Sequence, residues 1–325
     1  MLLKKIKKFS ILIIGAGQLG SRYLQGLSLC KNLLDIAVLD ISLKSLQQAE
    51  LRWIEVGGLT SKHEISFYTE LTKCSHQIEI AIIATTADSR PEIVTSVAKH
   101  IVVRYWLLEK VLAQSSEGLD QILSQISNPL LAWVNTPRRM IPWHNLIKQH
   151  LKMQSPMQLT VTGNIWNLAS NSLHFLDMLA WWSEESLVSV NTDQLDANWI
   201  KGKREGTWEI CGTLTADFSG GSTAKLISGS AGTLTYYLEL IDSSGSWNIN
   251  EVEGTALYSN GIMINGRLPY QSEMTTTLVD EILDSGNCQL PTLEESIAIH
   301  RVFVKAFLRH WQCHVDPTAT LVPIT

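Results

Sequence analysis

Apolar residues follow two alternating rhythms along the first 135 positions. Ile11 to Ile14 is a continuous, β-branched-rich apolar run, and strand-like runs recur at Ile36–Leu39, Ile65–Tyr68, Ile80–Ala84, Ile101–Leu108 and Leu130–Val134. An unbroken apolar run suits a strand buried on both faces of a parallel sheet. Between these runs the apolar positions step at helical spacing: Leu19, Tyr23, Leu24 and Leu27; then Leu43, Leu46, Ala49 and Trp53; then Leu119, Ile122, Leu123 and Ile126. Pro91 sits where a helix favours proline, and Ser115 and Ser116 can cap the last of these helices. Strand alternating with helix predicts an α/β domain on a doubly wound parallel sheet.

The pattern changes in the second half. Met157 to Trp166 reads as a strand, and Leu173, Leu176 and Leu179 mark a helix. Short strand-like runs follow, such as Gly212–Phe218 and Thr223–Ile227. Turn signals lie between them at Ser219–Ser222, Ser230–Gly232, Ser243–Gly245 and Asn260–Gly261. These fit hairpins in a second, α+β domain on a largely antiparallel open sheet. Two late helices are expected around Glu273–Asp284 and Leu293–Trp311. The switch places the domains at 1–135 and 136–325; a length of 325 residues suits two domains of roughly 150 residues each.

Composition removes several function classes. A 45% hydrophobic and 18% charged chain is ordinary for a globular protein. The net charge of −5 gives no bulk attraction to nucleic acid or an anionic membrane. Lys4, Lys5, Lys7 and Lys8 form a short solvated lead-in to the first strand. The apolar run after them is too short for a membrane helix, and the glycines that follow do not form a signal-peptide cleavage site. Five scattered cysteines without a CxxC pair predict free thiols in a reducing, cytoplasmic setting. His310, Cys313 and His314 resemble half a metal site, but no second ligand cluster accompanies them, so no metal is expected.

The first strand leads into Gly15-Ala16-Gly17-Gln18-Leu19-Gly20 and then a helix. In a dinucleotide fingerprint the first glycine makes the tight turn, the second lets bare main chain approach a pyrophosphate, and the third lets helix and strand pack closely. The helix N-terminus adds unpaired N–H groups and partial positive charge. Asp40, 20 residues beyond Gly20, ends the second strand, where a carboxylate can accept the ribose hydroxyls. Ile41-Ser42-Leu43 brings no arginine for a 2′-phosphate, which favours NAD over NADP. The simpler reading is a plain strand–helix turn with Asp40 as a helix cap.

In order and spacing, the chain resembles the glucose–fructose oxidoreductase/inositol dehydrogenase (Gfo/Idh/MocA) family. The resemblance rests on the glycine turn, Asp40, AIIATTADSRPEIVTSVAKH from Ala81, LLEKVLA from Leu107, Thr136-Pro137-Arg138-Arg139-Met140, NSLHFLDMLAWW from Asn171 and TLEESIAIHRVF from Thr292. It implies a Rossmann-type cofactor domain in which Gly15, Gly17, Gln18, Leu19, Gly20 and Asp40, with Thr85, Thr86, Glu109 and Lys110, meet the nucleotide. The family's Glu-Lys-Pro is Glu109-Lys110-Val111 here, and Lys110 inherits the lysine that reaches the substrate hydroxyl; the other reading of Lys110 is a surface lysine paired with Glu109. His174 inherits the general base, and Asp177, one turn on, can orient it; the other reading of His174 is a core or helix-cap residue. Ser170 stands where the family places an aspartate, and a serine can hydrogen-bond a substrate but cannot hold charge. Arg138 or Arg139 can bind a carboxylate or phosphate bidentately, or form a surface ion pair.

The resemblance implies an NAD-dependent oxidoreductase acting on a sugar, cyclitol or activated sugar. Two rivals remain open: an NAD-binding regulatory or assembly protein without turnover, and a lyase- or epimerase-like enzyme that recycles tightly held NAD. Seven of the eleven tryptophans lie from Trp133 to Trp208, and large aromatics either fill cores and interfaces or stack on sugar rings. The family's second-domain sheet implies a homo-oligomer, with the alternating run Trp208–Phe218 as a contact surface.

Overall fold

The computed structural model of the chain describes residues 7–152 and 155–325. Of the early lysines, Lys4 and Lys5 lie outside the described residues, and Lys8 lies 3.6 Å from Asp35. The first stretch alternates β1 (Lys8–Ile14), α1 (Gln18–Leu27), β2 (Leu33–Leu39), α2 (Leu43–Glu55), β3 (Glu64–Tyr68), β4 (Gln77–Ile83), α3 (Arg90–His100), β5 (Val102–Leu108), α4 (Ser116–Gln125) and β6 (Ala132–Val134). All six strands are parallel, in the order β3-β2-β1-β4-β5-β6. Ile11 to Ile14 are buried, as an apolar run covered on both faces must be. The last strand is shorter than its apolar run: Pro129–Leu131 forms a 3-10 turn, with the Asn128 side chain accepting the Leu130 N–H. From β1 the chain winds first toward β3 and then, through β4, toward β6. Such a reversal opens a crevice at the carboxyl ends of the central strands, where doubly wound sheets bind ligands.

The second stretch holds α5 (Pro142–His150), β7 (Gln158–Asn164), α6 (Leu168–Ser183) and β8 (Leu187–Leu195). It continues with β9 (Ile200–Lys201), β10 (Trp208–Glu209), β11 (Gly212–Phe218), β12 (Thr223–Gly229) and β13 (Thr235–Asp242). It closes with β14 (Gly245–Asn250), β15 (Thr255–Tyr258) and β16 (Met263–Asn265). An eight-stranded sheet runs β16-β15-β14-β13-β7-β12-β11-β8. Its neighbours pair antiparallel except β7 and β12, which run parallel. The run Trp208–Phe218 is not one strand. β10 pairs with β9 in a separate two-stranded ribbon, and β11 starts afresh at Gly212, whose φ of +109° suits glycine alone. Trp208 packs edge-on against Trp311, so this run does not form the continuous exposed surface expected of it.

Two helices close the chain, α7 (Gln271–Ser285) and α8 (Leu293–His314). The contacts divide the molecule into two units, neither continuous in sequence. The first gathers residues up to Glu109, then Gln121–Asn135 and Pro269–Leu293; the second holds Lys110–Asp120, Thr136–Leu268 and Glu294–Thr325. Relative to a split into 1–135 and 136–325, two segments exchange sides. In the first unit α7 packs on α1 at Gly26, where a Cβ would lie 2.2 Å from the Ser272 carbonyl oxygen. The Thr276 hydroxyl donates to the Gly26 carbonyl at 2.7 Å.

Candidate functional site

In the first unit the carboxyl ends of the strands carry the glycine turn. Gly15, at φ +93°, follows β1; a Cβ there would lie 3.0 Å from the Ala84 carbonyl oxygen after β4. A Cβ on Gly20 would stand 1.7 Å from the Gly15 carbonyl oxygen, so α1 can approach the turn only with glycine at this position. Gly17 differs from both. It is exposed, and a Cβ there would meet no atom within 4 Å. The protein's own packing has no use for a glycine at this point, and the main chain at the start of α1 faces open space. The Asp40 carboxylate ties the turn to β2, accepting the Ala16 N–H at 2.6 Å and the Ser42 N–H at 2.8 Å. Each of its oxygens keeps acceptor capacity. It is not the cap of α2, because the Ser42 hydroxyl accepts the Ser45 N–H.

Beside Gly15, the Thr85 hydroxyl is buried without a hydrogen-bond partner. The Thr86 hydroxyl lies 3.3 Å from that of Ser89. Arg52, which the glycine pattern does not reveal, reaches from α2 to the start of α1. Its guanidinium donates to the Gln18 side chain at 2.6 Å and to the Ser21 hydroxyl. A bare main-chain cradle, an orphaned hydroxyl, a carboxylate at the end of β2 and a nearby cation fit a dinucleotide. Glu109 is differently employed. It is buried, accepts the Tyr23 hydroxyl and accepts the Asn135 amide at 2.6 Å; that amide also reaches Gln271 at 2.9 Å. Burial, reinforced by the Glu109 charge, pushes the Tyr23 phenol well above its ordinary range.

The second unit begins at Lys110, whose peptide bond to Val111 is cis. The Lys110 ammonium donates to the Ser170 carbonyl at 2.9 Å. Ser170 lies in the first turn of α6. The residue before that helix, Asn167, has φ +59° and makes no side-chain cap. The cap comes instead from Glu209 on β10, 39 residues from Ser170. Its carboxylate accepts the Ala169 N–H at 3.0 Å, the Ser170 N–H at 3.3 Å and the Ser170 hydroxyl. Burial raises the Glu209 pKa; the Ser170 donors, the Lys110 charge and the Ala169 N–H partly oppose it.

His174 follows one turn along α6. Its Nδ1 is buried without a partner. Burial, with the charges of Lys110 and Arg138, holds the imidazole well below its ordinary pKa, so the ring is neutral at pH 7. Asp177 does not orient it. Both Asp177 oxygens are taken by Arg139, at 2.7 Å from Nη2 and 3.1 Å from Nε. Burial raises the Asp177 pKa against the pull of Arg139.

The arginines are neither exposed ion pairs nor available anion clamps. Arg138 meets Glu251 bidentately, at 2.8 Å from Nε and 2.6 Å from Nη2, and lies over the Phe175 ring. Glu251 also accepts the Tyr236 hydroxyl at 3.0 Å and lies 3.1 Å from His144. Burial alone would raise the Glu251 pKa, but Arg138 and His144 reverse this and hold it well below the usual range. With both guanidinium forks facing protein carboxylates, neither is free to clamp a substrate anion. The tryptophans mostly fill cores: Trp133, Trp143, Trp166, Trp182 and Trp199 are buried, and Trp166 donates to the Ile227 carbonyl at 2.8 Å. At the C-terminal grouping, the His310 Nδ1 accepts the Trp199 indole N–H at 3.2 Å, and no cluster of three metal-ligating side chains occurs among the described residues. No helix among them is long and apolar enough to cross a membrane.

No protein-family model matches the chain, and no curated protein sequence does. Solved structures match along almost its whole length. Myo-inositol dehydrogenase from Lactobacillus casei, in complex with NAD(H) and myo-inositol, aligns with a TM-score of 0.67 at 16% identity, covering 95% of this chain and 96% of that one. UDP-N-acetylglucosamine 3-dehydrogenase GnnA from Acidithiobacillus ferrooxidans aligns at 0.67 and 12% identity, covering 95% and 98%. GenD2 from gentamicin A biosynthesis, in complex with NAD, aligns at 0.67 and 14%, covering 94% of each chain. At these identities the likeness is one of fold: the chain has the architecture of these oxidoreductases.

Proposed function

We propose that the protein is an NAD-dependent oxidoreductase acting on a carbon that bears a hydroxyl or carbonyl group in a sugar or cyclitol. The observation that carries this reading is Gly17, whose missing Cβ leaves main chain bare where no protein atom comes near. Exposed main chain of this kind suits a pyrophosphate, and the Asp40 carboxylate beside the turn suits ribose hydroxyls. The fold shared with NAD-bound inositol dehydrogenase and GenD2 supports the reading, as does the sequence resemblance.

Bound NAD supplies the hydride acceptor and donor. The rest falls to the chain's own side chains. Arg138 and Arg139 are committed to Glu251 and Asp177. Lys110 offers donors at Nζ that hold the reacting oxygen and stabilise negative charge as it develops. His174, neutral at pH 7, takes the hydroxyl proton in oxidation and returns it in reduction. The Ser170 hydroxyl already donates to Glu209, so toward a substrate it acts as an acceptor.

The test is a screen of free sugars, cyclitols and nucleotide-sugars for change in NADH absorbance, after any co-purified nucleotide is identified. Lys110→Ala should abolish turnover while NAD affinity stays nearly unchanged. Full activity in that variant refutes the assignment. Turnover without net change in the cofactor selects the recycling chemistry, and tight NADH binding without any turnover selects a regulatory or assembly role.

A further inference from the structure

Glu209 has no place in the sequence pattern, yet three donors of the α6 N-terminus converge on its carboxylate. A helix N-terminus favours an anion, so this carboxylate is held at fixed position and orientation. Lys110 is held from the same turn, through the Ser170 carbonyl at 2.9 Å, and lies close enough for its charge to act on Glu209. One residue therefore joins the cation and the anion: Ser170 accepts from Lys110 with its main chain and donates to Glu209 with its main chain and hydroxyl. Titratable neighbours of this pair include Glu109, next to Lys110 in the chain, His174, which feels the Lys110 charge, and Cys211, which feels that of Glu209.

We propose that Glu209 is a positioning residue of the reacting centre: its carboxylate, fixed by the first turn of α6, supplies from β10 a negative charge that Ser170 cannot carry and acts on Lys110, which the same turn holds through the Ser170 carbonyl. The role of Lys110 in turnover rests on the function proposed above; the coupling of Glu209 to Lys110 does not. A purely structural Glu209 would cap α6 and do nothing more. Glu209→Gln separates the two, because the amide oxygen still accepts main-chain N–H groups while the charge is gone.

The experiment is competitive acetylation of lysines in the full chain across pH, read by mass spectrometry, with exposed Lys44 as the internal reference. In Glu209→Gln the Lys110 profile moves to lower pH, and its reactivity at fixed pH rises at least about threefold, the effect of half a pKa unit. In Ser170→Ala the rise is smaller, because the main-chain carbonyl that holds Lys110 remains. An unchanged Lys110 profile in Glu209→Gln overturns the inference, even if the variant melts at lower temperature. Wild-type protein supplies a second measurement that needs no variant to fold. The Lys110 Cε resonance must show a small inflection as Glu209 titrates, and a flat trace through the carboxylate range also overturns the inference. Turnover in the same preparations completes the test: Glu209→Gln lowers kcat at least about tenfold and leaves NAD affinity alone. A labelling profile shifted in Glu209→Gln, alongside a wild-type protein that oxidises no polyol, would leave the coupling standing and remove the proposed reaction.

Discussion

Replacing Gly17 with alanine separates what the fold needs from what a nucleotide needs. Gly17 has φ −64° and ψ −161°, which alanine adopts without strain, and its Cβ would touch nothing within 4 Å. Alanine is a poorer helix cap than glycine by somewhat under about 1 kcal/mol. It also restricts the unfolded chain, which stabilises by about 0.4–1 kcal/mol. The two effects nearly cancel, so Gly17→Ala should melt within about 2 °C of wild type. Gly20→Ala is the control. Its Cβ falls 1.7 Å from the Gly15 carbonyl oxygen, an overlap relieved only by moving α1, at a cost of about 1–3 kcal/mol or more. NAD at about 100 times Kd should stabilise wild type by about 2.7 kcal/mol, or about 5–10 °C. If the added methyl displaces a pyrophosphate, affinity falls at least about tenfold and about half or less of that NAD-dependent stabilisation remains at the same concentration. The assay is thermal melting of both variants with and without NAD, backed by calorimetric titration. A Gly17→Ala protein that keeps the full NAD shift refutes the cradle; one that melts as low as Gly20→Ala shows that Gly17 serves the fold.

Other outcomes follow from the buried charges and close contacts. His174 must be neutral to accept a proton, and its pKa is depressed, so kcat/KM should stay level as pH falls through 6.5 and decline only at more acidic pH; a midpoint at or above 6.5 contradicts this. Asp177→Asn should destabilise the second unit by weakening the pair with Arg139, yet leave that pH midpoint unmoved, because Asp177 does not touch His174. Arg138→Met leaves the Glu251 carboxylate buried without its main partner and should cost about 3–5 kcal/mol in chemical unfolding, part of which returns when Glu251 is also made apolar. Glu251 has a depressed folded-state pKa, so its contribution is complete above its unfolded pKa of about 4.3 and is lost as pH falls below it; Glu251→Gln should therefore flatten the acid limb of stability.

The first sheet could be read from the sequence because its signal is local: a strand buried on both faces must be apolar throughout, and its helices must show a stripe. The glycine turn was legible for the same reason, since each glycine answers to a contact only a few residues away or to an absent one. What escaped depends on distant partners. An amphipathic pattern shows that α7 buries a face but not which sheet receives it, so its return to α1 was hidden. The alternation from Trp208 to Phe218 looks continuous, and only the positive φ at Gly212 breaks it. The arginines after β6 were found as residues, but Glu251 and Asp177, which engage them, lie 113 and 38 positions away. Glu209 was missed altogether, because nothing in Trp208-Glu209 indicates that its carboxylate reaches the start of a helix 39 positions earlier.

The return of the chain at Pro269–Leu293 bears on how this protein can be divided. A fragment ending at Asn135 would lack the helix whose Ser272 and Thr276 seat against Gly26. It would present that bare flank of α1 to water and invite aggregation. An excised or transplanted nucleotide half must therefore carry a second, distant segment, Pro269–Leu293, spliced onto it.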